Sequence, residues 1–89
     1  VSDNYPNPFN PSTQVEISLP MDSDISFTVY SITGKEIYSY TQNAVSMGKY
    51  KIKWNGKDSY GRSLPSGVYI YEFKAGDQFH QTKKMTLLK

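Results

Sequence analysis

In several stretches of this chain, apolar residues recur at every second position, and that spacing constrains the fold more than any other feature. Val15, Ile17 and Leu19 alternate with polar residues in the first such stretch, and Lys49–Trp54 repeats the pattern. Successive side chains of a β-strand point to opposite faces, so this period predicts strands with one buried face. Nowhere does a 3.6-residue apolar period persist over the ten or so residues that a helix requires. We therefore predict an all-β protein.

Glycine and proline residues divide the chain into six predicted strands. These are Gln14–Leu19, Asp24–Ser31, Lys35–Gln42, Lys49–Trp54, Gly67–Ala75 and Gln78–Leu88. Irregular alternation in the third strand indicates a bulge or an edge position, and the polar stretch Asn43–Gly48 is predicted to be a connection. Gly76-Asp77 predicts a hairpin between the last two strands. This pattern is typical of an antiparallel β-sandwich, with Val1–Thr13 as a candidate seventh strand.

The alternation also predicts which side chains form the core. The expected inward residues of the second and fourth strands are Ile25, Phe27, Val29, Tyr50, Ile52 and Trp54, and Tyr69 joins them from the fifth. Lys49, Lys51 and Lys53 are predicted to face water and keep a sheet edge soluble. Gly34 and Gly61 are expected to take positive φ angles in turns.

The opening segment, Val1–Thr13, is rich in proline, which excludes a helix there. We expect its aromatic residues Tyr5 and Phe9 to pin it onto the domain edge. It is interpreted as a linker that leads into the domain. The alternative is a recognition peptide for an aromatic groove.

Length and composition bound the class of protein. The chain has 89 residues, which is one domain, and a net charge of +2, too small to indicate nucleic-acid binding. It contains no cysteine, which excludes disulfides and thiol catalysis. No stretch reaches the roughly 18–20 apolar residues of a membrane span. The chain begins at Val1 without an initiator Met, so we expect it to be a piece of a longer protein.

The sequence contains no recognisable catalytic constellation. His80 is the sole histidine and is expected to be a solvated strand residue. Asn55–Gly61 superficially resembles a calcium loop, but only Asn55 and Asp58 offer side-chain oxygens and no Glu closes the site. We expect a non-enzymatic domain without a cofactor or metal.

Five stretches stand in a distinctive order and spacing. They are NYPNPFNPST at Asn4–Thr13, YSITGKE at Tyr30–Glu36, WNGKD at Trp54–Asp58 with Gly61 after it, SGVYIY at Ser66–Tyr71 and KMTLLK at Lys84–Lys89. Together they resemble the C-terminal sorting domains recognised by the type IX (Por) secretion system of Gram-negative bacteria. That family more commonly has Asp where this chain has Ser31. The resemblance covers nearly the whole chain.

The resemblance implies an immunoglobulin-like sandwich of about seven strands, similar to a domain of flagellar hook-capping proteins. It also implies a sorting signal that directs a periplasmically exported parent protein across the outer membrane, to become secreted or attached to the cell surface. The implied partners are the type IX secretion machinery, a sortase-like peptidase that removes the domain, and N-terminal cargo domains of the same chain.

The candidate sorting residues are the positions that match the family's closing motifs. They are Gly67, Val68, Tyr69, Lys84, Met85, Leu87, Leu88 and Lys89. We expect recognition by strand addition to the exposed edge of the last strand, with the Lys89 side chain and carboxylate as polar anchors.

Two other functions remain open, because one fold can host several. The domain would then be a permanent accessory or spacer module of a secreted enzyme or adhesin, or a weak carbohydrate-binding module. The carbohydrate hypothesis requires exposed aromatic rings, for which Tyr38, Tyr40 and Tyr60 are the candidates.

Overall fold

The computed structural model describes residues 1–8, 12–77 and 79–88, and these form six β-strands. The strands are β1 (Thr13–Leu19), β2 (Ser23–Ser31), β3 (Glu36–Val45), β4 (Gly48–Trp54), β5 (Gly67–Ala75) and β6 (Phe79–Leu87). The predicted all-β class is confirmed. The strand count is six rather than about seven, because the described residues of the opening segment contribute a single isolated bridge, from Tyr5 to Gln14.

The strands form two antiparallel sheets of unequal size. One sheet contains β1 and β4, and the other has the order β3-β2-β5-β6. The third strand is an edge strand, and its pairing with β2 is irregular between Val29 and Tyr30, so both features expected of it are present. The β5–β6 hairpin pairs without interruption from Ala75↔Phe79 to Gly67↔Leu87.

The core lies between the inner faces of the two sheets. Buried and more exposed residues alternate along β1 and β5, as the sequence pattern predicts, whereas Val45 is the one buried residue of β3. The members of the core come from all six strands and include Val15, Ile17, Phe27, Val29, Ile52, Trp54, Tyr71, Phe73, Met85 and Leu87. Aromatic contacts connect the sheets: the Trp54 ring of β4 lies 6.1 Å from the Tyr69 ring of β5, edge to face. Such a contact adds to the free energy gained by burying both rings.

Two sequence predictions fail around the end of β3. The stretch predicted as a connection is strand as far as Val45, whose side chain is buried. Tyr50 is expected in the core but is exposed, and its hydroxyl donates a hydrogen bond to the Ser46 carbonyl. The first stretch is strand because β3 continues alongside β2, where Val45 pairs with Ser23.

The opening segment is held by polar groups rather than by the expected aromatic residue. Tyr5 is 76% exposed, and Phe9 lies outside the described residues. The buried residue is Asn4, whose Nδ2 donates to Thr13 Oγ1 at 3.1 Å. A short asparagine side chain can bind backbone and hydroxyl groups in a turn, so the pinning prediction was wrong for Tyr5.

Both glycines predicted to have positive φ angles do so, with φ of 91° at Gly34 and 81° at Gly61. In the turn before β3, the Gly34 N–H donates to the Ser31 carbonyl at 2.9 Å. The Ser31 hydroxyl in turn accepts the Lys35 N–H at 3.1 Å. Ser31 therefore closes this turn with both its carbonyl and its hydroxyl group.

Candidate functional site

The two closing motifs, distant in sequence, lie side by side in the β5–β6 hairpin. The register pairs Gly67 with Leu87, Tyr69 with Met85, and Val68 with Thr86. Seven of the eight candidate sorting residues thus occupy one end of one hairpin. The eighth, Lys89, lies outside the described residues.

Three of these residues, Tyr69, Met85 and Leu87, are buried in the core. The Tyr69 hydroxyl donates to the Pro65 carbonyl at 2.6 Å, and burial raises the pKa of Tyr69. A partner cannot touch these side chains while the domain is folded. Their role is to fix the hairpin against the opposite sheet.

Three others face outward. Val68 and Leu88 are 41% and 51% exposed, and Lys84 is exposed as well. Alternation places Lys84 on the face of β6 opposite to the buried Met85, and Val68 on the face of β5 opposite to the buried Tyr69. We call Val68, Lys84 and Leu88 the outer patch. It combines two apolar side chains with one positive charge.

The opening segment runs along the free edge of β6 near this patch. The Thr86 N–H points away from β5 and donates to Asn7 Oδ1 at 2.9 Å. Lys83 Nζ lies 2.8 Å from Asp3 Oδ1, and the hydrogen bond and charge of Lys83 lower the pKa of Asp3. The edge expected to be open for strand addition is therefore partly covered.

Farther along β6, His80 is exposed, as expected, and its Nε2 lies 2.6 Å from Glu72 Oε2 on β5. Burial opposes the charge of Glu72, but the hydrogen bond with His80 and the nearby charge of Lys74 outweigh it and lower the pKa of Glu72. The pair is a polar contact on the outer face of the sheet.

The three tyrosines considered for sugar binding do not share one environment. The Tyr38 ring packs against Trp54, with ring centroids 6.4 Å apart. Tyr60 is 85% exposed in the loop before β5, and the Arg62 guanidinium lies 5.3 Å from its ring. These positions do not support a shared aromatic platform.

The loop that superficially resembles a calcium site uses its oxygens locally. Asn55 Oδ1 accepts the Lys57 N–H at 3.2 Å, and Asp58 Oδ1 accepts the N–H groups of Tyr60 and Arg62, both at 2.9 Å. The Arg62 backbone bond leads the contacts that lower the pKa of Asp58, although partial burial opposes them. Among the described residues, no cluster of three or more His, Asp or Glu side chains is suited to a metal.

Sequence reasoning missed Asn4 and Asn7, which position the opening segment against Thr13 and Thr86. The available signal was the recurrence of asparagine in a proline-rich segment, where short amide side chains commonly hydrogen-bond to nearby groups.

Comparison with known families places the chain among immunoglobulin-like domains. The sequence model described as the FlgD Ig-like domain matches residues 3–78. Among curated protein sequences, none matches the chain significantly. Within the described residues, no helix is long and apolar enough to cross a membrane.

Several solved structures have the same fold. Dimeric latent PorU from Porphyromonas gingivalis is 24% identical with a TM-score of 0.76, over 97% of this chain and 9% of that one. FlgD from P. aeruginosa is 23% identical with a TM-score of 0.68, over 84% of this chain and 61% of that one. PorZ, a surface component of the type IX secretion system of P. gingivalis, is 18% identical with a TM-score of 0.65, over 98% of this chain and 11% of that one. The chain thus spans only part of each of these proteins.

Proposed function

The chain belongs to the FlgD Ig-like domain family, and we propose that it acts as a non-catalytic C-terminal sorting domain. In this proposal the domain directs a periplasmically exported parent protein through the type IX secretion machinery to the cell surface or the medium. A sortase-like peptidase then removes the domain from its cargo.

One observation carries the proposal: the two closing motifs pair with each other at the edge of the larger sheet and leave the outer patch exposed. Folding brings both motifs to one surface, so a single receptor site can contact residues from both. The two kinds of candidate residue then have separate roles. Tyr69, Met85 and Leu87 hold the hairpin in place, and the outer patch makes the contact.

The structural likeness to PorZ supports an extracytoplasmic, secretion-related setting, since PorZ is itself a surface component of a type IX system. A second candidate is a permanent spacer module. It is favoured by the small share of PorU and PorZ that the chain spans, because the same fold is there one part of a much longer protein.

The test is a secretion assay with the domain fused behind a reporter that carries an ordinary export signal, in a host with a type IX system. Deleting Met85–Lys89 would remove two buried core residues and confound sorting with unfolding. The informative variants change only exposed side chains: Val68→Ser with Lys84→Ser, and a truncation after Leu87. Tyr60→Ser, which changes a more exposed side chain in the loop before β5, is the matched control.

We expect the intact domain and the Tyr60→Ser control to carry the reporter out of the cell. The outer-patch variants should leave it in the periplasm while circular dichroism shows an unchanged fold. Equal export of all folded variants would contradict recognition through the outer patch. Periplasmic retention of the intact fusion would instead support a spacer module.

A further inference from the structure

The smaller sheet has one edge that no strand covers. β4 pairs with β1 on one side, and no strand lies along its other side in the described part of the chain. The free edge of β1, by contrast, is covered: Tyr5 exchanges two backbone hydrogen bonds with Gln14, of 2.8 and 3.0 Å. The fold thus protects one edge of this sheet and leaves the other open.

Hydrogen bonding on β1 fixes which backbone groups of β4 face the open edge. Gln14 and Glu16 bond to the opening segment, so their backbone groups point away from β4. Backbone groups alternate in direction along an antiparallel strand, so Val15 and Ile17 bond to β4, where their partners are Ile52 and Tyr50. The N–H and C=O groups of Lys49, Lys51 and Lys53 therefore point outward.

A groove runs between this open edge and β3. A cleft of about 240 Å³ is lined by Tyr38, Tyr40 and Gln42 from β3 and by Tyr50, Lys51 and Lys53 from β4. A neighbouring cleft of about 490 Å³ shares Tyr38 and Lys53 and continues toward the loop after β4. The rings belong to the inner face of the larger sheet, since Tyr38 and Tyr40 stand opposite the core residues Val29 and Phe27.

The charge along this edge is positive. Lys49, Lys51 and Lys53 are all exposed. Glu16 stands opposite Lys51 on β1 and offsets part of the charge. Asp58, beside the second cleft, is engaged by Arg62 at 2.8 Å. The groove therefore offers unpaired strand backbone, aromatic surface and a net positive charge together.

We propose that the open edge of β4 binds an extended peptide segment with alternating acidic and apolar residues, as a third strand of the β1–β4 sheet. The backbone of the segment bonds to Lys49, Lys51 and Lys53. Residues directly opposite those lysines share their outer face, which suits carboxylates. The intervening residues point inward onto Tyr38 and Tyr40, which suits apolar side chains.

A peptide fits this edge better than an anionic polysaccharide does. Outward N–H and C=O groups recur every second residue, about 6.8 Å apart, which is the repeat of a neighbouring strand. Lysines also keep sheet edges from pairing indiscriminately, and here they select by charge: an acidic strand is attracted and a basic one repelled. The proposal concerns a different edge from the outer patch and does not depend on the sorting function.

The test uses the whole 89-residue chain and a dye-labelled eight-residue peptide of alternating Glu and Val. Binding is followed by fluorescence anisotropy, and amide hydrogen exchange is measured by NMR. Strand addition should slow exchange at Lys49, Lys51 and Lys53 at least tenfold, while the Tyr50 and Ile52 amides, already bonded to β1, change little. Attraction by charge alone would not produce this alternation.

Variants and control peptides separate the contribution of charge from that of backbone hydrogen bonding. Lys51→Glu should weaken binding about fivefold, since a cross-strand charge pair is worth up to about 1 kcal/mol; Lys35→Glu, in an exposed turn, should not. A peptide N-methylated on the side that faces β4 should give no amide protection, and this control requires no change to the protein.

Three results would overturn the proposal: uniform or absent amide protection, an equal loss of affinity in Lys35→Glu, or equally tight binding of the N-methylated peptide. Alginate is compared at equal charge concentration. If it displaces the peptide, and the peptide itself produces no alternating amide protection along β4, the groove binds anionic polymers instead.

Discussion

Trp54 shows how much of this domain depends on single side chains. It is 2% exposed, its ring contacts Tyr38 of β3 and Tyr69 of β5, and its Nε1 donates to the Lys57 carbonyl at 3.0 Å. One residue thereby joins three strands and the loop that follows β4. The sequence predicted its burial from alternation alone, because Trp54 ends a stretch in which lysines alternate with apolar or aromatic residues.

We expect Trp54→Ala or Tyr69→Ala to lower the free energy of unfolding by about 3–5 kcal/mol, through the cavity that each leaves. That loss is comparable to the total stability of many small domains. Urea denaturation measures it, with Tyr60→Ala as the exposed control, expected to change stability by about 0.5 kcal/mol or less. A loss of 1 kcal/mol or less in both core variants would contradict the described packing.

At the scale of elements, the opening segment behaves as a polar clasp between the two sheets. Ser2 and Tyr5 bond to β1, and Asp3 and Asn7 bond to β6. The Tyr71 hydroxyl also donates to the Ser2 carbonyl at 3.2 Å.

Removing residues 1–8 should expose the amides that this segment covers. The amides of Glu16 and Thr86 donate to Ser2 and Asn7. Their hydrogen exchange should accelerate by more than the decrease in the global free energy of unfolding accounts for. Ile52, bonded within the smaller sheet, should follow global stability only. Unchanged exchange at Glu16 and Thr86 in the shortened chain would show that the segment does not hold these edges.

Strand positions were predictable where local and tertiary preferences agree. Gly67–Ala75 has the predicted bounds, because Gly and the Gly76 turn mark both ends of a β-branched and aromatic run. Val45 and Tyr50 were misplaced because the first belongs to a strand through its pairing with Ser23 and the exposure of the second depends on tertiary packing, neither of which a local pattern encodes. The pairing of the two closing motifs likewise followed from the Gly76-Asp77 hairpin signal. The hydrogen bond from Thr86 to Asn7 was not predictable, because it joins two segments at opposite ends of the sequence.

For the whole molecule, sequence indicated a sandwich but not the division into two and four strands, which depends on pairings between distant segments. The ionic contacts include two local pairs and one that joins the first residues of the chain to the last strand. Asp3 bonds to Lys83, Asp58 to the Arg62 backbone, and Glu72, despite the opposing effect of burial, to His80; all three carboxyl groups have lowered pKa values.

These shifts predict a loss of stability in acid. A carboxyl group whose folded-state pKa is lowered stabilises the fold above its ordinary pKa, here 3.8 for Asp and 4.5 for Glu. The contribution disappears as the pH falls through the folded-state value. Since Asp3 is exposed and solvent screens its ion pair, its part of the decline from pH 5 to 3 should be gradual. Urea unfolding should show a shallower decline for Lys83→Gln than for the native chain; identical slopes would mean that Asp3 contributes nothing.

The clasp at residues 2–7 also determines how the domain responds to mechanical load. Tension that enters at Val1 and leaves through β6 acts first on a few isolated bonds, among them Ser2 to Glu16 and Asp3 to Lys83. These bonds can peel one after another, whereas the paired β5 and β6 ladders would have to shear together. A pull on Val1 would therefore free the β6 edge near the outer patch while both sheets remain intact.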